Sequence, residues 1–585
     1  MLKECLEVFE HKLKDAGDDD RLILDSYIPA DGTYLIVDKE GSIKASVDIK
    51  MDKKTREINR SSPYFQKICF YDYHSQLISM NKPMDTKKVI HSNNYLAFFV
   101  KKDSVVTGKL TDDIIDNYYE VLKNPVEQKY KNSKEASQIY ELFEAKEGKI
   151  SEEDIDDKKA WIKENIYSLE QVDMSKKEYL KIFFEANDEE YVKEGQRYFL
   201  PNIYNSNDYN IAIENVVYGL PDNNLGMNAK KPFLSIKSRK YPAPYLLDGE
   251  RVLAQKKFFD YLMNLAAVGK YHIYIDTDRK EIIGCRNGEA PKEIETGYYL
   301  RIKKGKTEAE IWEHDNISGY NQRLEKSFKF LNFVSVNHKS YGKYEDAYQW
   351  YDNRLEVGKL INEVFFSNWL AGNYTIDAAD INVNDGLIKK NILLSRNVIF
   401  AWVYEGNDIG FEKILDKVSL ELIKNSLMND YKERAIWQLN LRMSFKEYFE
   451  ERGEKDMGEI ISELQDGVKK KVFADRVVPL ENDKEYYYAV GQLAAYLISL
   501  SKAKDKNHSL LNPFMNAKSD ENIKRRLLQI YKKYNYNIPD NYKRVKNLLA
   551  MVEGYVPEGE VDQEAIVLGY ACDNLIYTKE EKRDE

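Results

Sequence analysis

From Tyr344 onward helical spacing of the apolar residues dominates this chain, and that shift constrains the fold more than any other feature. Before it, short alternating runs are separated by turn residues. Tyr34–Val37 and Ile43–Asp48 flank a Lys39–Gly41 turn and predict a β-hairpin. Tyr271–Ile275, Glu281–Cys285, Gly297–Lys303 and Thr307–Glu313 predict an antiparallel meander. After it, Tyr344–Leu370 and Phe411–Glu451 carry apolar residues at helical spacing and predict long amphipathic helices. Everything beyond Met457 reads as a separate helical bundle. The fold class that follows is α+β: a mixed N-terminal region with antiparallel strands and helical insertions, followed by an all-α C-terminal helical bundle.

A chain of 585 residues is too long for one hydrophobic core. Five regions are expected: an N-terminal α+β region over 1–110, a charged helical insertion over 111–200, a region of basic loop plus meander over 201–340, a helical region over 341–456, and the bundle over 457–585. Residues 1–15 predict a short amphipathic helix, and Gly249–Val268 a helix that turns Phe258, Phe259, Tyr261 and Leu262 inward. In the bundle, Ser519 predicts a helix start with Asp520 and Glu521 in the first turn. Ile523, Leu527, Ile530 and Tyr534 line one face of that helix, with a basic outside. Ala565, Gly569 and Cys572 form a small-residue stripe that suits close helix packing.

Charge is segregated. The chain carries a net charge of −10, which argues against wholesale coating by nucleic acid. Two windows run the other way: Gly226–Lys257 is net +6 and Lys502–Lys546 net +8, so the remainder carries −24. The first window opens with Gly226–Tyr245, a stretch with no acidic residue. Pro232, Pro242 and Pro244 deny it a long helix, and Phe233, Tyr241 and Tyr245 alternate with its cations. Asn228, Lys230, Lys231, Lys237, Arg239 and Lys240 are the candidates there for contact with a phosphate backbone or a base edge. A solvated surface loop is the alternative. A second set, Lys82, His91, Asn93 and Asn94, lies in the polar loop of Ser79–Phe99. Asparagine can read adenine, but it also builds turns. The second window supplies Lys524, Arg525, Arg526, Lys532, Lys533, Lys543 and Arg544 as candidates for contact with a nucleic-acid strand.

Chemistry-bearing motifs are missing. His314–Asp315 is the dipeptide of one nuclease class, but the further His and Asp ligands such a centre needs are not apparent among seven histidines. A metal-dependent nuclease using this pair remains the alternative function, and a protein-only scaffold a third. Gly305-Lys306-Thr307 ends like a phosphate loop, but Leu300 stands where the first glycine belongs. Cys5, Cys69, Cys285 and Cys572 are far apart, which excludes a zinc ribbon and fits a reducing cytoplasm. No signal peptide or bilayer-spanning run is expected, and no metal or cofactor.

Four segments, taken together and in order, resemble a known family. They are Tyr27–Tyr34, Ser79–Phe99, Met227–Met263 and Leu548–Tyr577. Their combination is similar to the large subunit of the type I-B CRISPR Cascade interference complex, in its Csh subfamily. None of the blocks is a catalytic signature, and the four-cysteine zinc motif of several relatives is missing here. The resemblance implies a non-catalytic subunit of an RNA-guided surveillance complex. Guide RNA would read the target by pairing, while this chain would recognise the adjacent motif (PAM) in double-stranded DNA and stabilise the R-loop. It implies as partners the guide RNA, the backbone subunits, the subunit at the guide 5′ end, the small subunit, and a helicase-nuclease recruited in trans. The C-terminal bundle resembles the small subunit.

One further expectation comes from Glu451-Arg452-Gly453-Glu454, whose codons can spell a ribosome-binding site just before Met457. Internal initiation at Met457 would make a 129-residue small subunit from the same gene. Met428 and Met443 are rival starts, and an ordinary charged linker is the alternative.

Overall fold

The computed structural model describes residues 1–17, 20–52, 54–55, 57–205, 210–222, 225, 246–305, 309–334, 347–450, 456–501 and 508–578. The chain divides into two compact units, Met1–Ser318 and Gly319–Glu585. Among the described residues no strand lies beyond Asn353, so the α+β then all-α order holds, with helices from Arg354 onward.

The first unit is built on two sheets. One has strands β1 (Gly32–Val37), β2 (Ile43–Ile49), β3 (Ala97–Lys101) and β4 (Tyr179–Phe184) in the order β2-β1-β4-β3. The expected hairpin is β1 against β2. β2 alternates, so one face meets water, whereas all six residues of β1 are buried. A strand with both faces and both edges covered reads as an unbroken apolar run, as Tyr34-Leu35-Ile36-Val37 does.

The neighbour of β1 overturns one expectation. Residues 111–200 are not an insertion outside the core, because β4 lies within them, pairs parallel with β1 and antiparallel with β3, and completes the sheet. Lys181 in its middle gave the segment a solvated look. In the fold its ammonium is ion-paired with Asp72, and both side chains are buried. The second Asp72 oxygen accepts the Tyr27 hydroxyl at 2.9 Å, and the Lys181 ammonium sits 4.5 Å over the Phe99 ring. Paired and hydrogen-bonded, the charges are tolerated where a lone one would not be. The rest of that region is helical as expected, in α5 (Asp112–Lys123), α6 (Lys134–Glu147), α7 (Glu152–Asn165) and α8 (Asp188–Phe199). They follow α1 (Leu2–Asp15), α2 (Arg21–Leu24), α3 (Phe65–Tyr73) and α4 (Lys102–Val106).

The second sheet holds β7 (His272–Asp276), β8 (Glu281–Cys285), β9 (Glu293–Lys304) and β10 (Ala309–Asn321) in the order β10-β9-β7-β8. The short hairpin of β5 (Ile211–Ile213) and β6 (Val216–Tyr218) precedes them. All four expected strands form, but the order is not a simple meander: β7 pairs antiparallel with both β8 and β9 and so lies inside. Helix α9 (Gly249–Ala267) buries Phe258, Phe259 and Leu262 as expected. Phe9 of α1 meets the rings of Phe258 and Tyr261 at 5.4 and 5.7 Å.

In the second unit, β11 (Arg323–Lys329) pairs with β12 (Trp350–Asn353). The long helix expected over Tyr344–Leu370 is therefore shorter, α10 (Arg354–Val364), with Asn353 capping it through the Leu355 N–H at 2.8 Å. The helix expected over Phe411–Glu451 is two, α12 (Phe411–Met428) and α13 (Lys432–Phe449), following α11 (Gly386–Phe400). Asp430, at φ 62°, breaks the path between them.

The remaining helices are α14 (Met457–Phe473), α15 (Asp483–Ser499), α16 (His508–Met515), α17 (Asp520–Tyr534), α18 (Lys543–Gly554) and α19 (Gln563–Ala571). α15 is buried along nearly its whole length. It crosses α19 at two glycines. A Cβ added to Gly491 would lie 2.3 Å from the Ile566 carbonyl oxygen, and one added to Gly569 would lie 2.1 Å from that of Tyr488. The stripe of Ala565, Gly569 and Cys572 is buried.

Met457 does not begin a separate core. One continuous cluster joins Ile423, Leu427, Ile436, Leu439 and Met443 of α12 and α13 to the helices beyond Met457. Arg442 of α13 bonds Glu564 of α19 at 2.6 Å and Asp416 of α12 at 2.6 Å, and Lys446 bonds Glu564 at 2.8 Å. Burial pushes the Glu564 carboxyl up, but Arg442 and Lys446 outweigh it and hold the group below the usual glutamate range.

Candidate nucleic-acid interface

The leading candidates from the first basic window, Asn228, Lys230, Lys231, Lys237, Arg239 and Lys240, lie outside the described residues. The second set is described, and the fold spends most of it internally. The Lys82 ammonium forms an ion pair with Asp222 at 2.9 Å and donates to the carbonyl oxygens of Asn202 at 2.8 Å and of Tyr204. Its charge is matched before any phosphate arrives. Asn94 is fully buried, accepting the Leu96 N–H at 3.0 Å and donating to the Tyr191 carbonyl at 3.1 Å. It builds the turn into β3 and presents no edge to a base. His91 is half-buried between the Tyr179 hydroxyl at 3.0 Å and the Lys88 carbonyl at 3.2 Å. Burial holds its imidazole below the ordinary histidine range. Asn93 is buried as well, but its Oδ1 has no hydrogen-bond partner. The sequence reading took this loop for surface because it is polar; its polar side chains are instead spent on backbone groups that pass through the interior.

The C-terminal window divides in two. Lys524 and Arg544 work inside the bundle. Lys524 bonds Asp520 at 3.0 Å, donates to the Tyr555 carbonyl and lies 5.5 Å over the Tyr486 ring. The Arg544 guanidinium lies 3.8 Å over Phe473 and reaches the Ile576 carbonyl at 3.3 Å, fastening the segment after α19. Lys543 is exposed but ion-paired with Asp475 at 2.6 Å.

Arg525, Lys532 and Lys533 face solvent from α17, while Arg526 is half-buried and donates to Gln529 at 3.2 Å. The reason is the helix pattern. Ile523, Leu527, Ile530 and Tyr534 are all buried, as their spacing predicts, and turn the intervening cations outward. Ser519 stands at the cap position, but its side chain makes no capping bond.

The sequence reading missed an exposed aromatic just past the end of this helix. Tyr536 sits in the single turn Asn535–Asn537 after α17 and is 71% exposed. The signal was available in Tyr534-Asn535-Tyr536, where the first tyrosine keeps the helical register and the second leaves it. Cations beside an exposed ring can track a phosphate backbone while a base stacks.

The remaining candidates are quickly placed. Met457 is the first residue of α14, buried, with its N–H on Glu447 at 3.0 Å. His314 and Asp315 are exposed on β10, and among the described residues no cluster of three or more His, Cys, Asp and Glu side chains could hold a metal ion. All four cysteines are buried thiols, and no helix among the described residues is long and apolar enough to cross a membrane. No protein-family model matches this chain, and it matches no curated protein and no solved structure.

Proposed function

We propose that this chain is a nucleic-acid-binding subunit without catalytic activity of its own, serving as the large subunit of a type I-B CRISPR Cascade complex in the cytoplasm. In that role it recognises the PAM in target duplex DNA, stabilises the R-loop opened by the guide RNA, and helps recruit a helicase-nuclease. The observation that carries the reading is the solvent-facing set of Arg525, Lys532 and Lys533 on α17, with the exposed Tyr536 two residues past the end of that helix. It is a basic, aromatic-tipped surface on a chain that is acidic overall, as strand tracking requires. The sequence resemblance supplies the class of complex.

The test is binding of a fluorescent single-stranded DNA to the full chain across a salt series. Affinity is expected to fall steeply with salt. The triple variant R525A/K532A/K533A is expected to flatten the log–log slope by about 0.7 per cation removed. Wild-type affinity and slope in the triple variant would overturn the assignment of this face.

A further inference from the structure

Strand β10 ends the second sheet, with β9 as its one strand neighbour among the described residues. Residues 309–318 of it lie in the first unit. Glu313-His314-Asp315-Asn316 interrupts the apolar alternation there, so this stretch has no apolar face to bury. Residues 312–316 are accordingly all exposed, which on a strand means both faces. The edge away from β9 is open as well. Among the described residues, no backbone hydrogen bond or bridge from another element reaches residues 309–318. A long edge with unpaired N–H and C=O groups is a template for one more strand.

The side chains select the strand. Glu310, Glu313 and Asp315 are exposed, and β10 holds no lysine or arginine. None of the three carboxylates has an ion pair among the described residues; Asp315 accepts the Asn316 N–H at 2.7 Å. Cations stand on β9 instead, where Lys303 lies 4.2 Å over the Trp312 ring and Arg301 and Lys304 belong to the same strand. A strand added at the open edge sets its side chains about 5 Å from those of β10 and about 10 Å from those of β9. The longer distance exceeds a Debye length in physiological salt. The carboxylates of β10 therefore outweigh the cations of β9 in choosing a neighbour. Pairing with a second copy of β10 sets carboxylates beside carboxylates, and a phosphate backbone meets the same repulsion. Glu313 and Asp315 share one face of the strand, and Trp312, 43% exposed, lies on the other.

We propose that the open edge of β10 accepts an extended basic strand of a partner protein, which continues the sheet. The backbone of the added strand pairs with β10, its basic side chains lie beside Glu313 and Asp315, and its alternate, apolar side chains lie on the face of Trp312. This surface uses no residue of α17 and does not rest on the nucleic-acid reading.

The experiment uses the full chain and fluorescence anisotropy of a labelled eight-residue peptide in which lysine alternates with valine. Saturable binding is expected. Methylating alternate backbone nitrogens of the peptide, which removes ladder donors and keeps the charge, is expected to weaken it about tenfold. Glu313→Lys with Asp315→Lys is expected to weaken the lysine peptide about tenfold and to bind a peptide in which glutamate replaces lysine. Both positions are exposed, so the double variant leaves the core intact, and binding of the glutamate peptide shows that its edge is still formed. Absence of saturable binding would mean that the carboxylates only guard the edge against self-pairing, and would overturn the proposal. So would equal affinity for the methylated peptide, unchanged affinity in the double variant, or a dimer of the full chain that the peptide dissolves, which would place a second copy at this edge.

Discussion

At the scale of single residues, this protein repeatedly places ionisable groups where water cannot help them. His74 is the clearest case. Its side chain is 11% exposed and lies between Phe70 and Tyr73, with ring centroids at 4.5 and 5.1 Å. Burial pulls its pKa from 6.5 to about 4; Asp20 opposes the shift, and Lys256 and Lys257 reinforce it. Between those two pH values the unfolded chain binds a proton that the folded chain refuses. The associated stability is complete above pH 6.5 and is lost as pH falls through the window. Going from pH 7 to 4.5 should cost about 2–3 kcal/mol through this residue alone. His74→Gln should remove that share from the pH dependence of urea unfolding. An identical pH profile in wild type and variant would contradict the assignment.

At the scale of elements, the helix pair α15 and α19 shows how two missing side chains set a crossing. Both helices bring backbone against backbone at Gly491 and Gly569, and Gln492 donates to the Gly569 carbonyl at 2.6 Å in the same place. Gly569→Ala would drive a methyl into the Tyr488 carbonyl, which cannot rotate away as a side-chain tip could. The expected loss is about 1–3 kcal/mol in chemical denaturation. Gly554→Ala at the end of α18, where a Cβ meets open space, should be neutral or stabilising by up to about 1 kcal/mol. Equal effects at the two positions would mean that the close crossing is not what Gly569 provides. The stripe was legible because small residues three and four apart on a helix have few other uses. Its partner, Gly491, was not, since a lone glycine among Tyr486–Tyr488 and Ala494 announces no contact.

At the scale of the molecule, the second unit decides what a product starting at Met457 would look like. Its helices share one core with Ile423, Leu427, Ile436, Leu439 and Met443, and they are pinned to α13 through Glu564, Arg442 and Lys446. Made alone, Met457–Glu585 would bare the apolar face that α12 and α13 cover in the full chain. That fragment is expected to self-associate in sedimentation experiments and to melt without a sharp transition. A monodisperse monomer with a cooperative melt would show that α12 and α13 are dispensable to this core. Initiation at Met457 and independence of the fragment are separate matters, and the exposed face gives a short product a reason to bind another chain.

The elements legible in sequence were those whose periodicity is local. The hairpin of β1 and β2, the amphipathic α9, and α17 with Ile523, Leu527, Ile530 and Tyr534 inward all follow from which side of an element must avoid water. What no local pattern holds is the pairing of distant segments. β4 was hidden by Lys181, whose charge reads as solvated until Asp72, 109 residues away, is brought beside it. Lys82, Asn94, Lys524 and Arg544 were read as surface for the same reason. A polar side chain carries no sign of whether its partner is water or a carbonyl elsewhere in the fold. The sequence by itself determined the order of α+β and all-α regions and the basic outer face of α17. Only the tertiary structure decided which cations remain available for binding, because ion pairs and buried hydrogen bonds are made between residues that the chain keeps far apart.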